Sequence, residues 1–260
     1  MPRALILGAD GEDGAYLARL LDARGYTLTG TAAAPLDRLD DLGVRDRVTL
    51  LGAGDAAELL AAAHADEIYD LAGDAALTGV VLAALSADET RFVHVAGPDI
   101  APETAMALHA ARERGVFAAA GRLFDHVSRL SDAAAPALRI VTAARDAMRG
   151  DGIVILGTPD AARDLGWSPE YVDALWRMLH AATPGDFVIA TGVVLSDRDI
   201  ARHALDYFSG DPARIIEEEA VPVSQPLRAD PEQAQQTLGW RAYTHGRDLV
   251  RTLCEGVAAP

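Results

Sequence analysis

A chain of 260 residues, half of them hydrophobic, is long enough for one α/β unit or for a large unit with a small appendage. A formal net charge of −16 repels nucleic acid and anionic membranes, and no apolar run reaches the length of a membrane span. The single cysteine, Cys254, excludes an internal disulfide and fits a reducing compartment; with no signal peptide ahead of the first strand, the expectation is a soluble, cytoplasmic protein.

Residues 4–7 form an apolar run that predicts a strand. It leads into Gly8-Ala9-Asp10-Gly11-Glu12-Asp13-Gly14, and residues 15–24 leave that segment as an amphipathic helix. Strand, tight glycine turn and helix is the order of a nucleotide-binding unit. The first glycine allows a sharp exit from the strand, the second lets backbone approach a pyrophosphate, and the third lets the helix pack on the sheet. The helix N-terminus would offer N–H groups and a positive dipole end to the phosphates. Asp10, Glu12 and Asp13 bring negative charge to the same place.

Strand and helix signals then alternate. Residues 26–31, 47–51, 67–71, 92–96 and 116–123 read as strands, with helices at 56–63, 78–87 and 103–114. That alternation predicts a parallel sheet with helices on both faces. Pro98 and Pro102 punctuate the exit from the fifth strand. The second half is less regular, with a helix at 137–148 and a short strand at 152–156. Ser168 as N-cap and Pro169 in the first turn open a helix to 179; a strand at 186–190 and a helix at 197–208 follow. Asp230-Pro231 caps a short helix ending at Leu238-Gly239-Trp240, and residues 246–257 form a terminal helix. There is no internal repeat and no low-complexity linker. The expected fold class is α/β, a Rossmann-type doubly wound parallel sheet with a smaller C-terminal substrate lobe. Residues 1–150 would form the nucleotide-binding core and 151–260 mainly the lobe, interleaved with the core.

All 23 basic residues are arginine, so no step in this chain can use a lysine ammonium. The seven histidines are scattered, and no pair has metal-ligand spacing with a cysteine or carboxylate, so no metal site is expected. Ser86, Ser128, Ser131 and Ser196 lack a nucleophile-elbow context. Cys254 reads as inert and Glu217-Glu218-Glu219 as a solvated loop.

The stretch from Leu7 to Gly30, LGADGEDGAYLARLLDARGYTLTG, resembles the N-terminus of the GDP-mannose 4,6-dehydratases, of the extended short-chain dehydrogenase/reductase family. The similarity continues in order through Asp66-Glu67-Ile68-Tyr69-Asp70-Leu71-Ala72, Leu123-Phe124-Asp125-His126 and Arg163-Asp164-Leu165-Gly166. It extends to Phe187-Val188-Ile189-Ala190-Thr191-Gly192 and Leu238-Gly239-Trp240. The resemblance implies NADP or NAD in the Rossmann half and a GDP-sugar in the C-terminal lobe. It implies oxidation of the sugar at C4, elimination of water across C5–C6 and return of the hydride to C6. It also implies a Tyr-x-x-x-Lys pair, a Ser/Thr hydroxyl and a glutamate for the proton transfers.

This sequence departs from that pattern where the chemistry lies. None of Tyr16, Tyr26, Tyr69, Tyr171, Tyr207 and Tyr243 has a lysine four residues on. The family's T-S-E-type run after the fifth strand is matched by Gly97-Pro98-Asp99, which leaves Asp99 to stand in for the glutamate. The residues carrying the Tyr-x-x-x-Lys helix are missing between Asp99 and Gly115, and a second shortening falls between Leu71 and Arg91. Those two helices also build the family's dimer bundle. The two arginines that would hold an NADP 2′-phosphate match Ala33 and Ala34, the acid facing adenine matches Ala53, and Arg38 is the nearest cation. The cofactor set carried over is Gly8, Asp10, Gly11, Glu12, Asp13, Gly14 and Ala72. The substrate set is Asp125, Arg139 and Arg163; Arg163 matches an arginine that faces the diphosphate, and Asp164 or Asp160 is its alternative partner.

The expectation is a nucleotide- or sugar-nucleotide-binding protein without the standard dehydratase turnover, with NADP or NAD binding weakened or lost. It would act as a homo-oligomer or by pairing with a paralogue, with no nucleic-acid or membrane partner. One alternative is an active NAD(P)-dependent sugar-nucleotide dehydratase or epimerase with rebuilt acid–base groups among Asp99, His94 and Asp74. The other is a non-binding scaffold or regulatory partner of an active paralogue.

Overall fold

The computed structural model describes residues 1–33, 35–52, 56–87, 89–149, 152–217 and 229–258. Ala34, Ala53, Glu218 and Glu219, singled out above, lie outside the described residues.

In chain order the first half runs β1 (Arg3–Leu7), α1 (Glu12–Ala23), β2 (Thr27–Thr31), α2 (Asp37–Asp41), β3 (Val48–Leu51) and α3 (Ala56–Ala63). It continues with β4 (Glu67–Asp70), α4 (Ala75–Ala84), β5 (Arg91–Ala96), α5 (Pro102–Glu113) and β6 (Ala118–Leu123). The second half holds β7 (His126–Val127), α6 (Pro136–Ala147), β8 (Val154–Leu156), β9 (Ala162–Asp164), β10 (Gly166–Trp167) and α7 (Ser168–Leu179). Then come β11 (Asp186–Ile189), β12 (Val194–Ser196), α8 (Asp197–Tyr207), β13 (Ile215–Glu217), α9 (Glu232–Leu238) and α10 (Gly246–Ala258).

The chain divides into two compact units. The first comprises Met1–Leu123, Tyr171–Ile189 and Glu232–Trp240. Its centre is a seven-stranded sheet in the order β11-β6-β5-β4-β1-β2-β3. Every neighbouring pair is parallel. This is the α/β, doubly wound architecture expected from the alternating pattern. The register sets Ala4 against both Leu28 and Glu67, so β1 is the strand from which the winding departs in two directions. Near-continuous apolar strands are the mark of a sheet covered on both faces, and β1 and β4 are buried along nearly their whole length. Leu5, Leu7, Ile68, Phe92, Leu82 and Leu108 form one core cluster of this unit. On β6, a Cβ on Gly121 would stand 3.0 Å from Leu123 Cδ1 and 3.1 Å from Met178 Cε of α7, so these side chains pack close over the strand.

The second unit comprises Phe124–Glu170, Ala190–Pro231 and Arg241–Pro260. Its core is three amphipathic helices, α6, α8 and α10, that bury Leu138, Val141, Ile200, Leu205, Leu249 and Leu253 against one another. Cys254 is buried in the same cluster, and burial pushes its thiol up to about 12. The unit also holds three two-stranded pairs: β7 with β10, β9 with β12, and β8 with β13. These pairs are two or three residues long and lacked any periodic signal in the sequence, apart from β8. Helix α4 begins at Ala75, three residues earlier than the apolar pattern suggested, because the Asp74 carboxylate caps it by accepting from the N–H groups of Ala76 and Leu77. No helix among the described residues is long and apolar enough to cross a membrane.

Candidate functional site

In an open α/β sheet, ligands bind outside the carboxyl ends of the strands where the strand order reverses. Here that place is the gap between the ends of β1 and β4. The glycine turn fills one side of it. Gly8 has φ +86, a conformation side chains rarely adopt, and a Cβ there would lie 3.1 Å from Leu71 O and 3.3 Å from Ala72 Cα. Gly14 is tighter: its Cβ would fall 2.2 Å from Gly8 O and 2.8 Å from Ala9 Cα, so only glycine lets α1 start against the turn. Gly11 is different. Its Cβ would meet only Gly8 O, at 3.4 Å, so its outer side is open. Gly11 is also the N-cap of α1, and having no side chain it offers no cap of its own. Such an arrangement presents backbone N–H groups to an anion.

The acids of the turn divide in role. Asp10 is buried, and its carboxylate accepts the Ala33 N–H at 2.9 Å, so it braces the turn to the exit of β2. The Gly8 N–H donates to Thr31 Oγ1 and the Ala9 N–H to Thr31 O, which ties the same two segments again. Glu12 and Asp13 stand half-buried in the first turn of α1, where a carboxylate complements the dipole but shares the space a phosphate would use. Arg38 reaches Asp10 O at 3.4 Å. The cradle fits the pyrophosphate of a dinucleotide. The ribose end fits less well, because Thr31, Ala32 and Ala33 after β2 offer neither a carboxylate nor a guanidinium.

The acid–base candidates also lie at the carboxyl edge of this sheet. Asp99 is exposed on the bend after β5, and Ala72 is exposed after β4. Asp74 is committed to its cap. His94 and Asp70, facing each other across β5 and β4, form a buried pair: His94 Nδ1 lies 2.8 Å from Asp70 Oδ2, and the Thr78 hydroxyl donates to the same oxygen. Asp70 Oδ1 is buried without a hydrogen-bond partner. Asp70 was not expected as a partner; the only signal was a carboxylate closing the strand Glu67-Ile68-Tyr69-Asp70.

In the second unit, Arg163 on β9 donates from Nη2 to Asp197 Oδ1 at 2.9 Å, with the two side chains 19% and 8% exposed. The partner is therefore Asp197, and neither Asp164 nor Asp160. Asp164 is buried and accepts from the Thr191 N–H, the Thr191 hydroxyl and the Gly192 N–H. Asp160 pairs with Arg198, which also grips Glu217. Arg139, exposed on α6, acts on Asp197 through space. Burial nonetheless holds the Asp197 carboxyl above its ordinary value, against the pull of Arg163 and Arg139. Asp125 is exposed just before β7, and its carbonyl accepts the Gly166 N–H at 2.9 Å. Sequence reasoning missed Asp197; its place as the first residue of the helix expected at 197–208 was the available hint. No group of three or more His, Cys, Asp or Glu among the described residues is arranged to hold a metal ion.

Comparison with known proteins bears on both regions. A family model described as GDP-mannose 4,6 dehydratase matches residues 103–253, and one described as the NAD dependent epimerase/dehydratase family matches residues 4–93. GDP-mannose 4,6-dehydratase of Sinorhizobium fredii (strain HH103) is 33% identical over 165 residues, covering 55% of this chain and 46% of that protein. GDP-mannose 4,6 dehydratase 2 of Caenorhabditis elegans is 29% identical over 159 residues, covering 53% and 42%. The matched region spans less than half the length of these relatives. Among solved structures, dTDP-glucose 4,6-dehydratase from Bacillus anthracis in complex with NAD superposes with a TM-score of 0.82 at 10% identity, over 99% of this chain and 97% of that one. UDP-glucuronic acid 4-epimerase from Bacillus cereus, in complex with UDP-glucuronic acid and NAD, gives 0.78 at 14% identity, over 98% of each chain. At such identity the likeness shows the fold.

Proposed function

The chain belongs to the GDP-mannose 4,6 dehydratase family, and from that premise we propose that it binds a GDP-sugar and a nicotinamide dinucleotide without the standard dehydratase turnover. The observation that carries the reading is the glycine turn, where Gly8 and Gly14 are sterically required and Gly11 is left open toward the switch point. With the Gly8 N–H given to Thr31 and the Gly11 N–H to Gly8 O, the backbone at the start of α1, at Glu12 and Asp13, together with Ala72, would face the dinucleotide's pyrophosphate. When bound, that cofactor supplies a hydride acceptor. Arg163 and Arg139 would face the diphosphate of the sugar nucleotide, since a guanidinium fork matches phosphate oxygens. Turnover is the missing part. The chain has no lysine to lower a tyrosine pKa, and the segment after β5 is Gly97-Pro98-Asp99. With so little to hold a ribose after β2, dinucleotide affinity is weak.

Titration calorimetry of the purified chain with GDP-mannose, GDP, NAD and NADP tests this. GDP-mannose is expected to saturate a single site, and ligand at one hundred times its Kd adds about 2.7 kcal/mol to stability. No heat and no thermal shift with any of the four would favour the scaffold reading, in which the chain acts by pairing with an active paralogue. Conversion of GDP-mannose by the chain alone, or exchange of labelled hydride from NADPH, would overturn the claim of lost turnover. The buried Asp70–His94 pair supports a second reading, an enzyme with rebuilt acid–base groups. In that case Asp99→Asn or His94→Gln lowers the rate on the order of 10²–10⁴-fold.

A further inference from the structure

We infer that Asp197 is a built-in counter-anion that occupies Arg163 and sets how tightly the second unit takes a diphosphate. This rests on the GDP-sugar reading above and adds a residue that limits affinity. Asp197 opens α8 directly after β12, and β12 runs antiparallel to β9 with Leu195 opposite Arg163. That register brings the first residue of α8 alongside the guanidinium, and the ion pair forms at 2.9 Å with both side chains largely buried. Only one of the five guanidinium donors is engaged by this carboxylate in the structure. A diphosphate offers more charge and more acceptors, but it must approach against the charge of Asp197, which lies at the same guanidinium.

Among the described residues no other acid pairs with Arg163. Arg198 and Asp199 share a helix with Asp197, but Arg198 is held by Asp160 and Glu217, and Asp199 completes a capping box with Ser196. From α6 the facing charge is Arg139, while Arg145 is turned to Val257 O and Asp146. From α10, Arg247 pairs with Asp206. Asp197 is thus the acid set between Arg163 and Arg139, and its ionised form is the one opposed by burial. An external anion would compete with an internal carboxylate that is itself poorly accommodated.

The test compares wild type with Asp197→Asn, which keeps the side-chain size and removes the charge, and with Asp197→Ala as a second variant. GDP-mannose is the probe, because its diphosphate diester keeps its charge from mildly acidic to neutral pH. Calorimetry should show Kd about tenfold lower in both variants, equivalent to about 1.4 kcal/mol. Wild-type affinity should rise on acidification as Asp197 takes up a proton, whereas both variants should lack that rise. Equal affinities with the same pH profile would overturn the inference and leave GDP-sugar binding intact. Weaker binding in the variants would also overturn it, showing that Asp197 positions Arg163 for the ligand. Absence of binding by all three proteins would reject the GDP-sugar reading itself and this inference with it.

Discussion

The glycine turn of the first unit and the arginine cluster of the second are built from different materials. The turn is backbone. Its shape is imposed by what cannot be there, since a Cβ on Gly14 would overlap Gly8 O. Folding itself asks for Gly8 and Gly14, so the shape of the turn is kept whatever it binds. The cluster is side chain. Arg163 folds equally well whether it faces a ligand or one of the chain's own acids, and here it faces Asp197. The backbone shape is held by what the fold needs, whereas the facing of a guanidinium is decided by which carboxylate lies beside it.

The most forceful way to probe that contrast is Gly14→Ala. With a clash against backbone, we expect a loss of about 3 kcal/mol or more in denaturant unfolding. Gly11→Ala, whose Cβ meets open space but for one 3.4 Å contact, should change stability by less than about 1 kcal/mol while lowering dinucleotide affinity. Equal losses for the two would break the distinction between a fold glycine and a ligand glycine.

Next in size is Asp164→Ala in the second unit. It strands the N–H groups of Thr191 and Gly192 that this buried carboxylate accepts, while the Thr191 hydroxyl keeps Val193 O as an acceptor, and should cost about 2–4 kcal/mol by thermal unfolding. A loss under about 0.5 kcal/mol would show that water serves those groups as well. Asp74→Ala removes the cap of α4 and should cost about 1 kcal/mol, with Asp74→Ser recovering most of it.

The smallest effects concern pH, and the two units should answer with opposite signs. The Arg3 guanidinium holds the Asp66 carboxyl below its ordinary value of 3.8. Its contribution is present above that value and is lost as pH falls through the depressed one; because the pair is exposed, it amounts to less than about 1 kcal/mol. Asp197 is raised, chiefly by burial, so its ionised form weighs against folding above the raised value and the penalty is gone below 3.8. Asp66→Asn should therefore be slightly less stable than wild type at neutral pH and Asp197→Asn slightly more stable. Both differences should vanish in acid. A destabilised Asp197→Asn at pH 7 would show that the ion pair outweighs its desolvation.

Much of the first unit was legible. The strand runs at β1, β4 and β5, the glycine spacing after β1 and the helical stretches between strands each carry a period or a turn signal long enough to read. The short pairs of the second unit were not, because two or three residues hold no period, and β9 with β12 is defined only by who lies beside whom. At the candidate sites, the glycines were readable because each answers to a local steric demand. For Asp10, nothing local shows that its carboxylate accepts the Ala33 N–H. The pairing of Arg163 with Asp197 spans 34 residues and could not be told from pairing with its nearer neighbours.

By itself, then, the sequence determined the alternation of strand and helix, the glycine turn and the residue types available for chemistry. These follow from backbone sterics and hydrophobic period, which act over a few residues. Tertiary structure alone decided that residues 171–189 and 232–240 return to the first unit, that Asp70 meets His94, and that Asp197 claims Arg163. Which carboxylate meets which cation depends on the register of distant segments and on which charges burial leaves without water, and neither is written in any short stretch of chain.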